Sequence, residues 1–279
     1  MKRFIGIALL ASGIVTSALG ADLPTKVYTK APPPVVEVYN WTGFYIGGNI
    51  GYSWGRSSDY STLSNGAGTV LFANASGVNL DGIVGGGQVG YNWQVQNWVV
   101  GVEADIQGTD EKGSRTFTCP IGVCSPAANP FAAVAFVASA PISVLAMDQK
   151  IEWFGTVRAR GGVLVSPRVL LYATGGLAYG DVRTAEAINN TATVQAFSTT
   201  DTRVGWTVGA GVEGAIGGNW TAKLEYLYMD LGRTSGSYLT NFPANGGGFI
   251  SSTYSSKITD NILRVGVNYR WGGPAVARY

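Results

Sequence analysis

Charged residues recur at every second position along stretches of this chain that are otherwise apolar. They are Glu103, Asp105, Glu152, Arg158, Arg160, Arg203, Glu213, Lys223, Glu225, Arg264 and Arg270. Carboxylates paired two residues apart on one strand face, as Glu103 and Asp105 are, belong to the types that serve as general acids and bases. The chain contains no histidine, which removes Ser-His and Asp-His mechanisms. A different chemistry fits the set better. Five of these residues are acidic and six basic, and an unpaired buried charge is costly. A near-balanced set on one face is expected to pair with itself. No catalytic residue, metal or cofactor is expected.

Alternation at a period of two places these charges on β-strands. The clearest strand is Lys257–Trp271. There Leu263, Val265, Val267, Tyr269 and Trp271 alternate with Arg264, Gly266, Asn268 and Arg270. The same pattern predicts strands at Trp41–Trp54, Gly82–Val95, Trp98–Gln107, Lys150–Leu164, Val169–Gly180, Thr202–Ile216 and Trp220–Leu231. A membrane-crossing strand needs about 9–11 residues, and these are long enough.

The connections alternate in length. Those at 96–97, 166–168 and 217–219 are short, and those at 55–81, 108–149, 181–201 and 232–256 are long. This is the pattern of an eight-stranded antiparallel transmembrane β-barrel with short periplasmic turns and long extracellular loops. A soluble barrel such as a lipocalin alternates in the same way but buries its apolar face inward. Aromatics on the apolar parity near strand ends favour the membrane form. Trp54, Trp93, Trp98, Trp153, Trp206, Trp220, Tyr269 and Trp271 are placed as an interfacial girdle. The polar parity then faces an interior just wide enough for its own side chains. The charges are expected to plug it, with a narrow path for water or small ions as the alternative.

Residues 1–20 read as a signal peptide. Lys2 and Arg3 precede the apolar run Phe4–Val15, and Ala18-Leu19-Gly20 sets the mature start at Ala21. Removal of Lys2 and Arg3 leaves seventeen basic against seventeen acidic residues, so charge gives no support to nucleic-acid binding. Residues 21–40, with the run Pro32-Pro33-Pro34, read as a periplasmic lead. The barrel is expected at 41–271, with a tail at 272–279. Cys119 and Cys124 lie in a Pro-, Gly- and Ser-rich segment. Export favours a disulfide between them, and two free thiols are the alternative. Two cysteines without histidine do not make an ordinary zinc shell. Gly85-Gly86-Gly87 and Gly246-Gly247-Gly248 lack the helix and lysine of a phosphate loop. The apolar segment Phe131–Leu145 is expected to pack on the barrel rim, with a membrane or partner contact as the alternative.

Several segments together resemble the small outer-membrane porin-family proteins of alphaproteobacteria. These are immunogenic surface barrels of the OmpA-like superfamily, some of them haemin-binding. The segments are Ala21-Asp22-Leu23-Pro24, Trp41-Thr42-Gly43-Phe44-Tyr45-Ile46-Gly47-Gly48-Asn49, Gly155-Thr156-Val157-Arg158-Ala159-Arg160, Tyr172-Ala173-Thr174-Gly175-Gly176-Leu177-Ala178-Tyr179-Gly180 and Leu263-Arg264-Val265-Gly266-Val267-Asn268-Tyr269. The resemblance implies a Gram-negative outer-membrane location, contact with lipid and lipopolysaccharide, and assembly through the last strand by the barrel-assembly machinery. Relatives end on the closing aromatic, whereas here Gly272–Tyr279 follows Trp271. Haemin binding is permitted by the resemblance. Without histidine it would fall to a loop tyrosine such as Tyr60, Tyr238 or Tyr254, and plain exposed loop aromatics are the simpler reading. A structural role in envelope integrity is the expected function. A low-conductance channel or a haemin- or ligand-binding surface protein is the alternative.

Overall fold

The computed structural model describes residues 39–65, 68, 70–119, 143–189, 194–242 and 248–271. All fall in one compact unit, Val36–Tyr279. Nine strands are present among them: β1 Gly43–Asn65, β2 Val70–Val95, β3 Trp98–Thr109, β4 Lys112–Cys119, β5 Ser143–Ser166, β6 Val169–Asn189, β7 Val194–Gly217, β8 Trp220–Phe242 and β9 Gly248–Trp271. Each pairs antiparallel with its neighbours, and β1 pairs with both β2 and β9. The sheet therefore closes on itself.

Nine strands fill eight places in the wall. β3 and β4 are two pieces of one position, because both pair with β2 and both with β5. The break at Asp110-Glu111 lies opposite an irregularity in β5 between Ile151 and Trp153. Wall contact continues across it, since the Asp110 amide donates to the Ile83 carbonyl and the Ile151 amide to the Glu111 carbonyl, both at 3.1 Å.

Two of the three short turns place a residue in left-handed backbone, and the turn at Pro167-Arg168 does not. Gln96 has φ 55° and Gly218 has φ 51°. At the other end the strands are longer than the alternation predicted. β1 runs to Asn65 and β2 starts at Val70, so most of 55–81 is paired hairpin. The same holds for much of 181–201 and 232–256. Beyond the apolar band the outward face of a hairpin meets water instead of lipid. Segments such as Arg56–Asn65 then lose their apolar parity while keeping their backbone ladder. The interval 120–142, with most of Phe131–Leu145, lies outside the described residues. So do the signal peptide, most of the lead and the tail.

Apolar side chains on the outer parity stay exposed. Ile50, Ile106, Leu177 and Val204 are each 59–67% accessible. That is an inside-out protein, suited to lipid. Two aromatic belts bound the apolar band. The lower joins Phe44 to Trp271, Trp271 to Tyr269 and Tyr269 to Trp220, with centroids 5.1–5.5 Å apart. The upper holds the pairs Trp54–Tyr226, Trp206–Tyr228 and Trp153–Tyr179. Phe44 and Trp54 are ten residues apart on β1. At about 3.3 Å per residue, with a tilt of about 40°, they lie about 25 Å apart along the membrane normal, the height of an outer-membrane apolar band.

Candidate functional site: the filled barrel interior

The wall is thin where the interior is crowded. A Cβ on Gly90 would overlap the Tyr45 ring, and one on Gly211 would lie 2.6 Å from the Tyr172 hydroxyl. These glycines let two tyrosines lie across the lumen toward the charges.

The charges meet at mid-height. Arg158 bonds Glu103 directly and reaches Asp105 at 2.8 Å and Glu225 at 3.2 Å. Arg264 contacts Glu225 at 2.6 Å and Asp105 at 3.0 Å. Lys223 sits 3.0 Å from both Glu103 oxygens, and Arg160 is 2.6 Å from Glu213. The network thus contains four acids and four bases, all buried, and is formally neutral. Neutral partners join it. The Tyr45 hydroxyl donates to Glu103 at 2.7 Å and that of Tyr172 to Glu225 at 3.0 Å. Thr156, Thr221 and Asn268 donate to Asp105, Glu213 and Glu213 respectively. The Arg160 guanidinium lies 4.0 Å from the Tyr172 ring centroid. Five strands supply the charges: β3, β5 and β8 give two each, and β7 and β9 one each.

Three charges expected in this set lie elsewhere. Glu152 is exposed. The β5 irregularity between Ile151 and Trp153 reverses the parity, so Ile151 points inward and Glu152 outward. Arg270 is buried at the periplasmic end, where its guanidinium lies 4.5 Å from the Tyr39 ring centroid and donates to the Thr42 carbonyl at 3.0 Å. Arg203 is buried near the extracellular end and donates to Ser256 at 3.4 Å.

Apolar layers close the lumen above and below the network. Below it, Tyr39, Trp41, Val99, Leu170 and Tyr172 form one cluster. Trp41 was expected at the start of the first strand, but β1 begins at Gly43. The preceding residues fold as a cap, anchored by the Trp41 amide to Gln94 at 2.8 Å and by its indole to the Pro167 carbonyl at 3.3 Å. Above the network, Leu80, Val84, Ile151, Phe154, Ala178, Val182, Leu227, Met229, Leu231, Ile258 and Ile262 form a second cluster. The polar parity of the sequence did not announce this layer. Its signal was present in inward positions such as Leu227, Met229 and Ile262, which break the outward apolar register.

Within that upper layer is a carboxyl pair that sequence reasoning missed. Ser53 Oγ lies 2.9 Å from Glu111 and 2.6 Å from Asp260, all three fully buried. A serine hydroxyl has one hydrogen and can donate to only one carboxylate. The other contact requires a proton on a carboxyl, so the pair shares at least one. Glu111 comes from the β3–β4 break, which no alternation marks.

The expected girdle residues all face outward or lie at half-exposure. Trp93, Trp98, Trp220, Tyr269 and Trp271 are at the turn end, and Trp54, Trp153 and Trp206 at the hairpin end. Tyr52, Tyr179, Tyr226 and Tyr228 join the upper belt on the same parity. Of the loop tyrosines, Tyr60 is exposed on β1 and Tyr254 half-buried on β9, while the side chain of Tyr238 lies outside the described residues. Cys119 ends β4, and Cys124 and any bond between the two lie outside the described residues.

A closed antiparallel barrel with a lipid-facing exterior, two aromatic belts and a polar lumen is an outer-membrane β-barrel protein. The chain belongs to the family described as outer membrane protein beta-barrel domain, whose model matches residues 8–271. It is similar to the 31 kDa outer-membrane immunogenic protein of Brucella melitensis biotype 1, at 36% identity over 97% of this chain and 100% of that one. It is also similar to the 22 kDa outer membrane protein of Rhizobium leguminosarum bv. viciae, at 31% identity over 71% of this chain and 67% of the other. Among solved structures, Ail, the attachment invasion locus protein of Yersinia pestis, matches with TM-score 0.30 and 12% identity, covering 80% of this chain and 99% of that one. The resemblance read from the sequence thus holds, and the location is the outer membrane.

Proposed function

We propose that this protein is a structural barrel that covers and reinforces the outer membrane rather than a pore or an enzyme. The observation that carries this reading is the filled lumen: a cap, a neutral ion-pair network and an apolar layer follow one another along its length. A conducting pore needs a continuous wet path, and buried ion pairs capped by apolar side chains supply none. The absence of histidine argues against the acid–base machinery that barrel hydrolases use. The outer surface suits contact with lipid and, at the hairpin end, with lipopolysaccharide. Assembly through β9 by the barrel-assembly machinery belongs to the same reading. A strain lacking the protein is expected to admit hydrophobic dyes and detergents more readily, with restoration by the intact gene. Unchanged envelope permeability would overturn the proposal.

A further inference from the structure

Just outside the upper aromatic belt, three cations stand side by side. Lys112 on β4 is directly opposite Lys150 on β5, and Lys150 directly opposite Arg183 on β6. All three are exposed, while their neighbours Glu111, Gln149, Ile151 and Val182 are buried. The row therefore projects from the outer wall. Its height is fixed by the belt. Lys150 precedes Trp153 by three residues on a strand that descends to the periplasmic turn. Arg183 follows Asp181, which accepts the Trp153 indole bond at 3.0 Å.

Like charges directly opposite on neighbouring strands repel, and little within the chain relieves them. Lys112 meets Asp110 at 3.5 Å, with both side chains about 70% exposed. Arg183 donates to Ser198 at 3.2 Å. Among the described residues Lys150 makes no ion pair. Asp148 and Glu152 flank it on its own strand, each about 7 Å away along the chain. Asp181 is already engaged by Trp153 and Thr202. Adjacent strands are about 4.8 Å apart, so the strands of Lys112 and Arg183 lie about 9.6 Å apart with Lys150 between them, and side chains of this length can converge on one phosphate group.

We propose that Lys112, Lys150 and Arg183 form a docking row for a phosphate of the glycolipid in the outer leaflet, with its acyl chains on the apolar wall below. This rests on the barrel lying with its hairpins in that leaflet. An aromatic belt marks the interface, and basic groups beside it meet anionic headgroups. The charge of the ligand and the height of the row then coincide.

The test uses the full mature protein refolded in phosphatidylcholine vesicles doped with a diphosphorylated acylated glucosamine disaccharide. Lipid that stays with the barrel is measured after exchange into detergent. The intact protein is expected to retain it, and to retain at least tenfold less of the same lipid stripped of phosphate. Lys150→Glu with Arg183→Glu should lower retention at least tenfold. Arg168→Glu, a single charge reversal at the exposed periplasmic turn, should leave it unchanged. Competition by millimolar inorganic phosphate should be weak, and full displacement by it would overturn the assignment to a lipid. Equal retention by the double variant and the intact protein would overturn the row itself. Gel mobility of the unboiled protein reports folding separately, so a barrel that inserts and ignores the glycolipid refutes this row alone. One that fails to insert refutes its membrane placement.

Discussion

Replacing Glu103 by Gln keeps the shape of the side chain and removes one charge from the centre of the network. Glu103 faces Arg158, sits 3.0 Å from Lys223 through both oxygens, and accepts from the Tyr45 hydroxyl at 2.7 Å. After the change four cations face three carboxylates in a site closed to water. Removing one partner of a buried pair costs about 3–5 kcal/mol, because the other charge is left uncompensated. Glu103→Gln should therefore lower stability by about that amount. Lys223→Met in the same chain restores neutrality, so the double variant should be more stable than Glu103→Gln alone. Their coupling should fall within the range of about 0.5–3 kcal/mol seen for residues in contact. Urea unfolding of the barrel in lipid vesicles, followed by tryptophan fluorescence and by gel mobility without boiling, measures both. A loss below about 0.5 kcal/mol for Glu103→Gln, or strict additivity in the double variant, would show that the network does not hold the lumen together.

Other changes probe the remaining layers. Ser53, Glu111 and Asp260 hold a proton that an unfolded carboxyl releases near about pH 4. The folded state thus binds more protons, and stability should fall as pH rises above that value. Glu111→Gln should flatten the fall, seen as an unfolding midpoint that no longer drops in mildly alkaline buffer, and an unchanged slope would refute the shared proton. Trp41→Ala removes the periplasmic cap and should cost about 3–5 kcal/mol by the same urea assay. Ile50→Arg places a cation halfway between the belts on the lipid face and should cost about 2–4 kcal/mol in vesicles, whereas a neutral effect would contradict the outward parity of β1.

Much of the barrel is legible because lipid and lumen impose opposite chemistry on alternate residues. Val265, Val267 and Tyr269 against Arg264 and Asn268 betray strand, register and wall at once. Legibility ends where that contrast ends. In Arg56–Asn65 both faces are polar, so a paired hairpin reads as a loop. At Ile151–Trp153 one extra residue reverses the parity, and Glu152 leaves the lumen while Glu111 enters it. Arg270 has the right parity but the wrong height, because strand tilt and the folded segment Tyr39–Thr42 decide its neighbours. Period alone carries no height along the barrel axis, and so it does not separate Arg203 and Arg270 from the eight charges that meet.

The central claim is that the lumen is closed. Single-channel recording on purified, refolded protein in planar lipid bilayers tests it most directly. The filled interior predicts a silent membrane or rare, small and brief openings at any applied voltage. Large, steady, stepwise conductance from the monomer would contradict it and return the protein to the pores.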